Sequence, residues 1–163
     1  MEKEEKLFAF NTSPCGSYGH RMRTRAGHCI QCDTKKIAFI RRHYEQAYIY
    51  IAGSRRSRVI KIGCSAHPWE RQNLINQLGY GGISDWRMVY YGRYENAGKV
   101  EFAVHRMLSQ YSSPRSYMRE YLQVDCREVF ACGYPIVKQA LDSVAIPILV
   151  GTETDDARAS YSF

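Results

Sequence analysis

The sequence predicts an α+β fold: a small three-stranded antiparallel sheet flanked by helices, preceded by a small module built on metal ligands. Three observations carry this. β-rich apolar runs lie at residues 48–51, 59–62 and 86–91, bounded by turn chemistry. A helical repeat links Val100, Ala103, Val104, Met107, Leu108 and Tyr111 at i, i+3, i+4, i+7, i+8 and i+11. Cys15, His20, Cys29 and Cys32 form the pattern C-x4-H-x8-C-x2-C in a segment with few large aliphatics.

Length and composition bound the answer. A chain of 163 residues, 45% hydrophobic, suits one domain of ordinary size with a small appended module. No apolar run reaches the length of a membrane span. Residues 1–6 are charged and lack the apolar block of a signal peptide, so a cytoplasmic protein is expected. In that compartment six cysteines point to thiols or metal ligands before disulfides. The net charge of +7 is unevenly placed. Residues 1–46 carry nine Lys/Arg against five Asp/Glu, residues 47–130 twelve against seven, and residues 131–163 two against four. A basic, tyrosine-rich surface suits a polyanion, because Lys and Arg displace condensed counterions from phosphates; a merely basic solvated surface is the bland alternative.

In chain order, residues 1–42 form the metal module and its connector. A Cys-x-x-Cys places two thiolates within one turn, close enough for two corners of a tetrahedron around zinc. Cys29 and Cys32 would fill those corners, with Cys15 and His20 at the others, as a closed structural Zn2+ site. His28 competes as fourth ligand, but its direct neighbour Cys29 makes joint ligation awkward. A redox Cys-x-x-Cys would need a strand before Cys29, and none is expected. Arg21, Arg23 and Arg25 fall between the ligands and would be displayed as a basic loop for nucleic acid. Residues 35–46 mix Ile37, Phe39 and Ile40 with Lys and Arg, as a helical connector does.

Residues 43–145 form the second module. The first two strands are joined by a basic turn that carries Arg55, Arg56 and Arg58, a second candidate nucleic-acid contact. Pro68 suits the first position of a helix, where its missing N–H costs nothing, and Gly79 suits its end. Asn96 would cap the long amphipathic helix. Glu101 and His105 sit at i, i+4 on its flank. Residues 125–144 add one or two packing helices, with Cys126 and Cys132 lacking a histidine partner for a second metal. Residues 146–150 read as a closing strand. Together with the acidic, Ser/Thr-rich residues 151–163 they form a closing segment and mobile tail.

Several of these residues form an ordered set. Tyr48-Ile49-Tyr50, then Lys61-Ile62-Gly63-Cys64-Ser65, then Pro68 and Arg71 resemble the phage-type branch of the GIY-YIG nuclease superfamily. Glu101-x-x-x-His105 is similar to that branch's Glu-x-x-Leu-His. Arg119-Glu120-Tyr121-Leu122 is placed against its Gly-Glu-Trp-Phe close. The resemblance implies a metal-dependent endonuclease hydrolysing DNA, taken as double-stranded, in a bacterial or phage-infected cell. Glu101 would hold one Mg2+ or Mn2+, Arg71 would stabilise charge on the transition state, and Tyr50 would position or activate water. Lys61 stands where the motif has its second tyrosine, and Cys64 where it has a lysine. The base is therefore open among Tyr50, His105 and Lys61, the last only with a depressed pKa and otherwise a phosphate contact. The alternative is a DNA-binding module of the same fold with little or no cleavage. Cutting both strands would call for a second active site, and a homodimer would supply one.

Overall fold

The computed structural model describes residues 8–24 and 26–163. The chain divides into two compact units, Met1–Tyr44 and Glu45–Phe163.

In the first unit, strands β1 (Phe8–Ala9) and β2 (Arg23–Thr24) pair antiparallel, and helix α1 (Lys35–Tyr44) closes the unit. The expected connector helix is present, but it buries no residue, and Phe39 is 54% exposed. Its i, i+3 apolar spacing is too short and too interrupted by Lys35, Lys36, Arg41 and Arg42 to form a buried stripe.

The second unit is built on one antiparallel sheet. Strands β3 (Ala47–Ser54) and β4 (Val59–Ser65) form the hairpin, and β5 (Arg87–Tyr94) pairs with the other edge of β3. Two short strands, β8 (Val129–Phe130) and β9 (Thr152–Glu153), extend it to the order β8-β4-β3-β5-β9. The sheet therefore has five strands where the sequence predicts three. Two-residue strands present no period for a sequence pattern to reveal. A separate hairpin joins β6 (Arg115–Arg119) and β7 (Leu122–Cys126).

Alternation along the strands sorts the core into two layers. Ile49, Ile51, Ile60 and Ile62 face helices α3 (Ala97–Met107) and α4 (Tyr134–Val144), through Val100, Val104, Val137 and Leu141. Tyr50, Ala52, Val59 and Met88 face the other way, with Ile75 of α2 (Pro68–Gln77), Tyr80 and Trp86. Fully burying such side chains contributes roughly 1.5–3 kcal/mol each.

Local signals mostly act as expected. Pro68 opens α2, and Gly79 follows it at φ +60°, a left-handed conformation that L side chains rarely adopt. Asn96 precedes α3 but does so at φ 51° and makes no side-chain cap. Its use is tolerance of the left-handed region, which Asn enters more readily than most residues.

Three segments differ from expectation. Residues 125–130 hold the end of β7, a two-residue link and β8 in place of a helix, and one helix, α4, follows. Residues 146–150 form no strand; the pairing falls at Thr152–Glu153. The C-terminal tail is folded: α5 (Ala157–Ser160) leads to Tyr161, which is 1% exposed and packs in the isoleucine layer. Tyr161 covers Gly53, where even a Cβ would clash with its ring. Composition underrates this segment because two aromatics, Tyr161 and Phe163, carry its packing.

Candidate active site and zinc-ligand cluster

In the first unit the ligand atoms of Cys15, His20, Cys29 and Cys32 all lie within 4.8 Å of one another. Cys15 Sγ is 3.7 Å from Cys32 Sγ, and His20 Nδ1 is 3.7 Å from Cys29 Sγ and 3.4 Å from Cys32 Sγ. Zinc holds sulfur at about 2.3 Å and imidazole nitrogen at about 2.0–2.1 Å, so tetrahedral edges are about 3.8 Å for S···S and about 3.6 Å for S···N. The edges fit. A disulfide, near 2.05 Å, does not. His28 is exposed and outside the group, which leaves His20 as fourth donor. These four residues could hold a zinc ion. The Tyr18 N–H, 3.4 Å from Cys15 Sγ, draws that thiol down to about 6. Hydrogen bonding to Cys29 and burial push the Cys32 thiol up to about 12. Crowded thiols resist losing protons together, and a bound cation removes that resistance.

The arginines of this unit have different positions. Arg21 is exposed. Arg23 donates to the carbonyls of Ser13, Pro14 and Gly27, at 2.7 Å for the last. Its guanidinium therefore ties the loops together, in place of the outward display expected of it. Arg25 lies outside the described residues.

In the second unit three of the candidate catalytic residues, Tyr50, Lys61 and His105, bear on β4. Tyr50 is 1% exposed and pairs across the ladder with Gly63. A Cβ at residue 63 would stand 2.7 Å from the Tyr50 hydroxyl oxygen, so only glycine leaves the phenol its place. Lys61, on the same face, is fully buried and ion-paired with Glu128, just before β8. Tyr80 donates its hydroxyl to the same Glu128 carboxylate at 3.2 Å, and Lys61 Nζ lies 4.6 Å from the Tyr80 ring centre. Burial opposes the charge on Lys61, but Tyr50, Glu128 and Tyr80 outweigh it and hold the ammonium pKa above its ordinary value. A raised pKa is the opposite of what a lysine base needs, and the structure sets Lys61 in a buried ion pair. Glu128 is shifted down: burial opposes its charge, and Lys61 more than compensates.

His105 reaches β4 from the opposite layer. Its Nε2 is 3.1 Å from the Ile62 carbonyl, just past the point where β8 leaves that edge. A carbonyl only accepts, so Nε2 carries the proton and Nδ1 of the neutral ring keeps its lone pair. Glu101, one helical turn earlier on α3, is 4% exposed. Arg71 lies half-buried on α2, along the Tyr50 layer, beside an open cleft of about 370 Å³ that also touches Tyr117 and Arg119. The structure thus joins Tyr50, Lys61, Tyr80 and Glu128 directly, and brings His105 of α3 to the Ile62 carbonyl of β4 from the other layer. It places Arg71 and Glu101 on helices of opposite layers. Arg55, Arg56 and Arg58 lie on the β3–β4 turn, with Arg58 over the Phe163 ring at 5.9 Å.

Tyr80 and Glu128 escaped the sequence. For Glu128 a signal existed. The Glu–apolar–aromatic run that joins the sheet is Glu128-Val129-Phe130, and not Glu120-Tyr121-Leu122. Glu120 and Tyr121, at φ 50° and 68°, are the turn of the β6–β7 hairpin, and Tyr121 is 99% exposed.

The chain matches the T5orf172 domain over residues 47–142, more than half its length, and belongs to that family. The family is phage-associated and found in nuclease-related proteins, which makes DNA the implied substrate or partner. No curated protein and no solved structure matched the chain. Among the described residues, no helix is long and apolar enough to cross a membrane.

Proposed function

We propose that this chain is a GIY-YIG-type endonuclease that hydrolyses DNA phosphodiester bonds with one divalent cation, and that its zinc-ligand unit assists DNA binding. The observation that carries this is the Tyr50–Gly63 pair: a phenol of β3 seated over a glycine of β4 that is required to be bare. Phosphodiester hydrolysis needs water deprotonated, charge on phosphorus neutralised and the leaving oxygen stabilised. His105 Nδ1, left with its lone pair, is the group offered for the first role. Tyr50 orients the water. Arg71 offers a planar fork to phosphate oxygens. Glu101 would hold Mg2+ or Mn2+, an ion that keeps several waters and accepts a single carboxylate. When bound, it would polarise the phosphate. The Lys61–Glu128 pair, with Tyr80, fixes β4 beneath these groups.

The second reading, a DNA-binding domain without efficient cleavage, is favoured by a specific observation: Tyr50 and Lys61 are both closed off from solvent. Plasmid cleavage with Mg2+ or Mn2+ separates the two. The intact protein should cut, and Glu101→Ala and Arg71→Ala should each lose activity at equal zinc content. No cutting alongside salt-sensitive DNA binding would favour the second reading. Cutting that survives Glu101→Ala would put the metal ligand elsewhere.

A further inference from the structure

A second feature of the Tyr50 layer has no part in the chemistry above. Tyr48 of β3, Trp69 of α2 and Tyr91 of β5 line a hollow of about 280 Å³, with His67 and Glu70 at its rim. We propose that this hollow is a stacking pocket for one nucleobase of a DNA strand laid across the Tyr50 layer; this rests on the DNA reading above.

Four observations carry it. First, the rings are open. Trp69 is 51% exposed, whereas Trp86 is 1% exposed, and neither Tyr48 nor Tyr91 is buried. Second, the rings meet steeply, Trp69 with Tyr91 at 70° and Tyr48 with Tyr91 at 62°, with centroids 5.6 and 6.2 Å apart. They cannot stack fully on one another, so ring faces remain for a planar guest. Third, the register joins the pocket to the candidate active site. Tyr91 stands directly opposite Tyr50, and Tyr48 lies two residues along β3 on the same face. Two strand residues span about 7 Å, the scale of one to two nucleotide steps. Fourth, the charge suits a nucleic acid. Exposed Arg93 stands opposite Tyr48 in the ladder, where a phosphate flanking the stacked base would lie. An aromatic pocket with an acidic rim also suits a quaternary ammonium group, but the Arg93 guanidinium opposes a cation there.

The test is fluorescence titration of the full chain, without divalent cation, using short single-stranded oligonucleotides. The chain has two tryptophans, and buried Trp86 is screened, so the response reports Trp69. The pocket predicts quenching on binding and about tenfold weaker binding by Trp69→Ala, with an unchanged slope against salt, because stacking releases no counterions. Trp69→Phe should retain most of the affinity. An oligonucleotide with one abasic position should lose affinity when that position meets the pocket. Three results overturn the inference: Trp69→Ala binding like the parent, equal loss for Phe and Ala, or quenching by tetramethylammonium but not by oligonucleotide. Cleavage run in parallel keeps the two readings apart. DNA cutting with Trp69→Ala binding unchanged removes only the pocket. Stacking without cutting removes only the nuclease.

Discussion

The two units of this chain reach a folded state by different means. Among the described residues of the first, only Cys15, Thr24 and Ile30 are buried, and one of those is a candidate metal ligand. The second buries two layers against a five-stranded sheet, with Ile49, Ile51, Ile62, Tyr94, Val104 and Leu141 all fully enclosed. A segment without an apolar core needs something to replace one, and here four donor atoms within 4.8 Å of one another could do so by holding zinc. The second unit has no such dependence, and its polar interior serves another purpose. The comparison therefore predicts opposite responses to the same treatments.

The largest effect should come from removing the metal. Structural zinc contributes about 10–16 kcal/mol of apparent binding energy in small metal-folded modules, more than a core this small can replace. A chelator, or Cys29→Ser, should therefore abolish amide protection in residues 8–33 and leave strands β3 to β5 protected. Hydrogen exchange resolved by segment reads both at once. Retained protection in the first unit would mean that Arg23 and its three carbonyl partners hold it without metal. Joint loss in both units would mean that their foldings are coupled.

The next effect belongs to the second unit alone. Lys61 is fully buried, so Glu128→Ala strands a charge, and breaking a buried pair costs about 3–5 kcal/mol. The lower end is expected, because about a third of the Glu128 side chain (34%) meets solvent. The pH dependence has a definite sign. Glu128 titrates below its ordinary 4.5 when folded, so its contribution is present above that pH and lost as pH falls through the folded value. Lys61 titrates above its ordinary 10.5, so its contribution is complete below that pH and lost as pH rises further. Denaturant unfolding should thus show stability from this pair across the range between, with Glu128→Ala lacking the acid limb. A loss under about 1 kcal/mol at pH 7 would mean that water reaches Lys61 and the pair is not sealed.

The same contrast explains what the sequence made legible. The zinc-ligand set was readable because metal chemistry fixes residue type and spacing together, and the Cys15–Cys32 and His20 distances follow from those constraints. The hairpin and α3 were readable from their apolar patterns, and α2 from its terminal signals, Pro68 and Gly79. Strands β8 and β9 were not, since two residues define no period and their pairing is decided by what covers the edge of β4 or β5. Glu128 had a signal in the Glu128-Val129-Phe130 run, but its role shows only once β8 lands beside Lys61. The misplaced Glu120 shows how a motif of three residues can be matched to a solvated turn when an inserted hairpin separates it from its strand. Arg23 shows a further limit. Nothing in a run of alternating arginines distinguishes Arg23, which binds backbone carbonyls, from the exposed Arg21.

That last distinction gives the smallest predicted effect and sharpens the comparison most finely. Arg55, Arg56 and Arg58 lie on the β3–β4 turn, outside both core layers, so their replacement by Ala should change stability by no more than about 0.5 kcal/mol each. If they meet phosphates, the slope of log affinity against log salt should fall by about 0.9 for each phosphate that is no longer neutralised. Arg58, held over the Phe163 ring, should contribute least, because reaching a phosphate requires leaving that ring. Arg23→Ala should do the reverse, lowering the stability of the first unit while leaving the salt slope of properly folded protein almost unchanged. Equal slopes for the triple variant and the parent would move the DNA-contacting surface off this turn. A fall of slope on Arg23→Ala at full zinc occupancy would return that residue to the interface and require its carbonyl hydrogen bonds to break when DNA binds.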